Sequence, residues 1–258
     1  IPDFVIDTAS PSMIIASSTV SDGDTSNDSS IALTFTSSEP TTNFAVGDVT
    51  VSGGSLSNFS ATSSAVYTAT FTPSSDGATS IDVGAGAFTD AAGNNNSAAS
   101  QFNWTYDATA PTMMITSSTV SDGATSNDSS IALTFTSSEA TTNFAVGDIA
   151  VTNGILSNFV AVSSIVYTAT FTPSDIGETT IDVASGSYTD AAGNTNTAAS
   201  QFNWNYDSTS PTISISSSDV ADGATSNDAS ISLTFTSSKA TINFVESDVT
   251  VSGGSLSN

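Results

Sequence analysis

The side chains of this chain that could do chemistry are almost all carboxylates. Twenty-five Asp and Glu residues stand against one Lys, and His and Cys are absent. The acids keep a strict spacing: Asp7, Glu39, Asp48 and Asp90 recur 100 residues later as Asp107, Glu139, Asp148 and Asp190. Without His or Cys, the common general bases and activated nucleophiles cannot be assembled. No GxSxG elbow, P-loop or dinucleotide fingerprint is present. Paired carboxylates can hydrolyse glycosides, but acids that repeat unit by unit in strand-end loops do not make one differentiated cleft. The chain therefore reads as a non-enzyme. Surplus carboxylates suit a hard cation: Ca²⁺ takes six to eight oxygen ligands, drawn from carboxylates, Asn side chains, backbone carbonyls and water.

The charge balance narrows the partners. A net charge of −24 and a pI near 4.1 exclude nucleic acid, whose binding depends on Lys and Arg neutralising phosphates, and disfavour an anionic membrane surface. No stretch approaches the roughly 18 apolar residues of a membrane span, so no direct membrane insertion is expected in this segment. Hydrophobic residues make up 38%, and the polar remainder is mostly Ser, Thr, Asn and Asp, which suit strand faces and turns and not helices. Without Cys there are no disulfides, and one Lys rules out repeated Lys–Asn isopeptide crosslinks.

The elements that must position the acids follow from internal repetition. TSNDSSIALTFTSSE occurs at 25–39 and 125–139, and TSNDASISLTFTSSK at 225–239. Between 12–58 and 112–158, 37 of 47 positions are identical, so the repeating unit is a whole domain. The expected divisions are residues 1–7 as the last strand of a preceding repeat, repeat 1 over 8–107, repeat 2 over 108–207, and a partial repeat 3 over 208–258. IPDFVID at the start and SGGSLSN at the end suggest a window of a longer polypeptide. Each unit reads as about seven short strands with apolar residues at every second position, the mark of half-buried antiparallel strands. In repeat 2 the inward set is Met113, Ile115, Ile131, Leu133, Phe135, Ile149, Val151, Tyr167, Ala169, Phe171, Ile181, Val183, Phe202, Trp204 and Tyr206. A hundred residues with this pattern predict an all-β fold of tandem immunoglobulin-like antiparallel β-sandwiches. The Trp residues alternate with Phe and Tyr on the final strand, which favours core packing over sugar stacking.

The stretch SEPTTNFAVGDVTVSGGSLSNF (38–59), followed by YTATFTPS, FTDAAGNNN and WTYDATAPT, resembles the bacterial Ig-like repeats of giant extracellular adhesins and surface proteins. The resemblance covers essentially the whole chain. It implies a long extracellular stalk of tandem domains, often stiffened by calcium at the junctions.

In a seven-strand sandwich, the second–third and sixth–seventh loops lie at the same end as the incoming linker. The acids then converge: Asp107 from the linker, Glu139 and Asp148 from one loop, Asp190 from the other. The matching set is Asp7, Glu39, Asp48 and Asp90. Two readings stand here. The acids bind Ca²⁺ and pin the linker, or they make local turns and caps with the backbone. The Gly-Asn part of TDAAGN reads as turn chemistry, and Asp148 as partly a strand-start turn residue. In repeat 3 the Glu becomes Lys239, whose ammonium could replace the ion beside Asp207 and Asp248. The loop SDGATSNDSS (121–130) at the other end is read as turns or as a contribution to the next junction. Asp76 and Asp175 in hairpin turns are expected to be solvated, and Asp182 to be surface charge.

These observations point to a structural stalk or spacer at the cell surface, whose partners are neighbouring repeats. Two alternatives remain: a self-assembling filament subunit completed by strand pairing with other copies, and a carbohydrate- or receptor-binding adhesin module.

Overall fold

A computed structural model describes residues 6–257; the strand expected over 1–7 falls mostly outside them. The chain divides into two compact units, Ile1–Tyr206 and Asp207–Asn258. The first unit contains two tandem domains built alike.

In the first domain the strands are β1 (Met13–Ser17), β2 (Thr25–Ser26), β3 (Ile31–Ser37), β4 (Val49–Ser52), β5 (Gly54–Ala61), β6 (Val66–Pro73), β7 (Gly77–Val83) and β8 (Phe102–Tyr106). They form two four-stranded sheets, ordered β1-β3-β6-β5 and β2-β8-β7-β4. All pairings are antiparallel except the two-residue β2, which runs parallel to β8. The second domain repeats this with β9 (Met113–Ser117), β10 (Thr125–Ser126), β11 (Ile131–Ser137), β12 (Ile149–Thr152), β13 (Gly154–Ala161), β14 (Val166–Pro173), β15 (Gly177–Val183) and β16 (Phe202–Tyr206). The fold is thus all-β, a pair of immunoglobulin-like sandwiches. β2 and β10 are strands beyond the expected seven: too short for a period of two to show in sequence, they exist only through pairing with the last strand.

Alternation along each strand supplies the core. Ile131, Leu133 and Phe135 on β11, Tyr167, Ala169 and Phe171 on β14, Ile181 and Val183 on β15, and Phe202 and Trp204 on β16 are all buried. Val151 and Tyr206 pack on this cluster only partly buried. The weaker strand expected near 155–159 is the eight-residue β13, which carries a bulge between Ser157 and Val160. Asn158 sits there at φ 52°, a left-handed conformation that Asn tolerates better than most residues. The Trp204 indole N–H has no hydrogen-bond partner; its ring lies edge-on to Tyr206 at 5.7 Å between centroids.

The second unit, Asp207–Asn258, has the antiparallel pair β17 (Ile213–Ser217) and β18 (Leu233–Ser237). The register matches that of β9 and β11. Its apolar side chains stay open: Ile215 is 61% exposed, whereas the equivalent Ile115 is 8% exposed.

Candidate metal centre

One end of each complete sandwich is closed by loop-to-loop contacts. In the second domain the loop after β11 pairs with the TDAAGN loop through a bridge between Thr141 and Asp190. Thr142 N–H donates to Thr189 O at 3.1 Å, and Thr189 N–H to Asn143 Oδ1 at 2.8 Å. Below them lie Phe144 and Tyr188, both buried, with ring centroids 5.3 Å apart and nearly edge-on. Phe144 also meets Tyr167 at 4.9 Å, and the Tyr167 hydroxyl is bonded to Thr141 Oγ1 at 2.5 Å. Tyr167 belongs to β14 and follows its alternation, but Phe144 and Tyr188 belong to loops, where no periodicity marks them, so sequence reading missed those two. They hold the two acidic loops rigidly side by side.

On this platform the carboxylates meet. Asp107, Glu139 and Asp190 each present an oxygen within 4.8 Å of the others, and Asp7, Glu39 and Asp90 do the same in the first domain. The Glu139 carboxyl is pushed above its ordinary value, first by removal from water and then by the charges of Asp107, Asp190 and Asp76. Glu39 is raised in the same way, with Asp7 and Asp90 as its charged neighbours. Asp190 is buried but not bare: Oδ1 accepts from Asn194 N–H at 2.9 Å, and Oδ2 from Asn194 Nδ2 at 3.0 Å. Asp90 is lowered by the matching Asn94 amide, partly offset by removal from water and helped by backbone N–H groups of its turn. Asp107 Oδ1 accepts from Thr109 N–H at 3.0 Å, a local turn that leaves Oδ2 outside it. Turn chemistry and clustered charge therefore coexist in the same side chains.

Asp48 and Asp148 do not join these groups. Asp148 Oδ2 accepts from Ala145 N–H at 2.8 Å, and Asp48 Oδ2 from Ala45 N–H at 2.8 Å. Each closes the single 3₁₀ turn that leads into the next strand, which spends the carboxylate on its own loop. Asp76 is exposed, as expected, and it also reaches the linker: Oδ1 accepts from Ala108 N–H at 3.0 Å and Oδ2 from Thr109 Oγ1 at 2.6 Å. Those bonds, the Thr109 one foremost, hold its carboxyl below the ordinary value. Residue 176, its counterpart one repeat on, is Ile, so this contact leaves no repeating signal. In the SDGxTSND loops Asp128 makes a turn, accepting from Ser126 two residues away, whereas Asp122 reaches the last strand, its Oδ1 accepting from Asn203 N–H at 2.8 Å. The link to the next domain comes from Asn27, whose N–H donates to Ala192 O at 3.1 Å and whose Nδ2 donates to Asn194 Oδ1 at 3.1 Å.

In the unit Asp207–Asn258 a protein cation sits on the linker. Lys239 Nζ lies 2.7 Å from Asp207 Oδ1, 2.5 Å from Asp207 Oδ2 and 2.7 Å from Thr209 O. Asp207 is held down at about 2, chiefly by the Lys239 hydrogen bond. Asp248, the other acid expected beside Lys239, accepts instead from Val245 N–H at 3.0 Å.

The donor set fits calcium. Opposed ligands at about 2.3–2.6 Å from an ion stand about 5 Å apart, so three oxygens within 4.8 Å of one another can share one ion. In the unit Asp207–Asn258 the linker offers the Lys239 ammonium both a carboxylate and a carbonyl; the residues at the same places in the second domain's linker are Asp107 and Thr109.

Two-sheet sandwiches joined by short Asp-x-Thr-x-Pro linkers, with acids gathered where linker meets domain, define a tandem Ig-like array. The bacterial Ig-like domain family matches residues 7–106 and again 107–206, and the chain belongs to that family. No curated protein sequence matches it. Among solved structures, the Escherichia coli adhesin FdeC is 14% identical, with 93% of this chain and 76% of that one covered and a TM-score of 0.43. InvD of Yersinia pseudotuberculosis is 19% identical over 82% of this chain and 64% of its own, with a TM-score of 0.39. Invasin, a bacterial integrin-binding protein, is 17% identical over 79% and 41%, with a TM-score of 0.42.

Proposed function

We propose that this chain is a stalk segment of an extracellular bacterial surface protein, and that calcium held by Asp107, Glu139 and Asp190, and by Asp7, Glu39 and Asp90, stiffens its joints. The observation that carries the reading is the meeting of three carboxylates from the linker and two loops in a chain with almost no positive charge to neutralise them. Each set includes the linker Asp, so a bound ion would tie the linker to the domain it enters. Such an ion supplies charge neutralisation and crosslinking, not reaction chemistry. Binding to the folded form alone would stabilise it by mass action. The function is then mechanical: each sandwich adds a fixed length, and short linkers ending in Pro limit bending. Scarce Lys and Arg leave little for trypsin-like proteases, and the high net charge opposes lateral collapse.

The test is a thermal melt of the full chain with calcium and with chelator, alongside small-angle scattering in both conditions. Calcium should raise the midpoint and narrow the distribution of end-to-end lengths. An unchanged midpoint together with an unchanged length distribution would remove calcium from the account.

A further inference from the structure

The amide of Asn194 is oriented by its partners. Nδ2 donates to Asp190 Oδ2 at 3.0 Å and to the Asp107 backbone O at 2.9 Å. Both partners only accept, so the side-chain oxygen must face the other way. It faces the first domain, where Asn27 Nδ2 donates to it at 3.1 Å. Two residues earlier, Ala192 O accepts the Asn27 backbone N–H at 3.1 Å. Gly193 between them holds φ at 94°, a value that suits glycine and lets the turn present both acceptors to Asn27. One small side chain thus touches a carboxylate of the acidic cluster, the linker backbone and the preceding domain. Asn94 in the first domain has the same two inward bonds, to Asp90 Oδ2 at 2.9 Å and to Asp7 O at 3.2 Å.

We infer that the TDAAGN loop is a docking surface for the SND loop of the preceding repeat, and that Asn194 couples this docking to cation binding at Asp107, Glu139 and Asp190. The inference rests on the calcium reading of that cluster. An ion that fixes Asp190 and Asp107 also fixes the two acceptors of the Asn194 amide, and with them the direction of its oxygen. A joint already ordered by Asn27 spares the ion part of that ordering. Coupling of this kind is reciprocal: whatever docking gains from calcium, calcium affinity gains from docking. A residue of the first domain that touches no carboxylate of the cluster should therefore tune metal affinity in the second.

The experiment is calorimetric titration of calcium into the full chain carrying Glu39→Gln, which leaves only the second site. Adding Asn27→Ala should weaken binding about fivefold, at the low end of ordinary coupling between sites. Asn127→Ala, the same change one repeat later, should leave the affinity as it was. Equal affinity with and without Asn27→Ala overturns the coupling while leaving calcium in place, and so does an equal loss from Asn127→Ala. A wild-type chain that binds no calcium overturns the calcium reading itself. In that case scattering on Asn27→Ala still tests the docking surface: a broadened length distribution supports it, and an unchanged one removes it.

Discussion

Replacing Glu139 with Lys transplants the arrangement of residues 207–239 into the second domain. In the wild type, Glu139 meets Asp107 and Asp190 with oxygens within 4.8 Å. At that distance each like-charge pair costs about 0.9 kcal/mol in the dielectric of water. Glu139→Lys turns two repulsions into two attractions, a swing of about 3–4 kcal/mol before screening. The pairs are partly exposed, physiological salt screens beyond roughly 8 Å, and ordering the Lys side chain has its own cost. A net gain of about 1 kcal/mol is the realistic expectation, or roughly 4–8 °C for a domain of this size. The new ammonium should settle on Asp107 and the Thr109 carbonyl, as Lys239 settles on Asp207 and Thr209 O. Calcium acts the opposite way: at 100 times its dissociation constant it stabilises the wild-type site by about 2.7 kcal/mol and the variant not at all. Calorimetric melts with chelator and with calcium, plus a titration for stoichiometry, read both effects. The wild type should bind two ions and Glu139→Lys one. A variant that still binds two ions, or melts lower than wild type in chelator, would refute the reasoning.

The pH dependence has a definite sign. Glu39 and Glu139 are raised above the ordinary 4.5, so without calcium their folded forms hold the proton more tightly than the unfolded chain. Melting midpoints in chelator should fall as pH rises from about that value, and Glu39→Gln with Glu139→Gln should flatten the slope. Asp207 has the reverse sign: its contribution is full above the ordinary 3.8 and is lost as pH falls through about 2, an effect to be followed by chemical shifts of Asp207 and Lys239. A Cβ on Gly154 would lie 2.2 Å from Phe171 Cζ and 2.7 Å from Thr172 O. Gly154→Ala should therefore lower stability by about 2–3 kcal/mol, while Gly147→Ala, with nothing within 4 Å, should be nearly neutral in the same denaturant titration. At the β13 bulge, Asn158→Ala should cost about 1 kcal/mol and Asn158→Gly much less, because the φ of 52° is what the position demands.

The fold was legible because its signal is local and repeated. Ile131, Leu133 and Phe135 alternate on one strand whatever surrounds them, and a second copy 100 residues away repeats the pattern. Asp107, Glu139 and Asp190 could be placed together because loops on one end of a sandwich follow from strand order alone. Asp148 was harder. An acid three residues past Ala145 can serve its own turn or a shared site, and only the 3₁₀ turn at Val146–Asp148 shows the turn contact. Asp76 and Asn27 escaped for a different reason. Their partners lie in the linker and the following domain, so no pattern within one repeat marks them.

By itself, the sequence determined the class of fold, the repeat length, the scarcity of cationic partners for the acids, and which carboxylates share an end of the sandwich. Those properties depend on composition, on a period of two and on chain order, each of which survives without coordinates. Only the tertiary structure decided which oxygens meet, that Phe144 and Tyr188 brace the acidic loops from below, that Lys239 chooses Asp207 over Asp248, and that Asn194 joins one domain to the next. Contacts of this kind are settled by a few ångströms between loops far apart in sequence, where no propensity or periodicity acts.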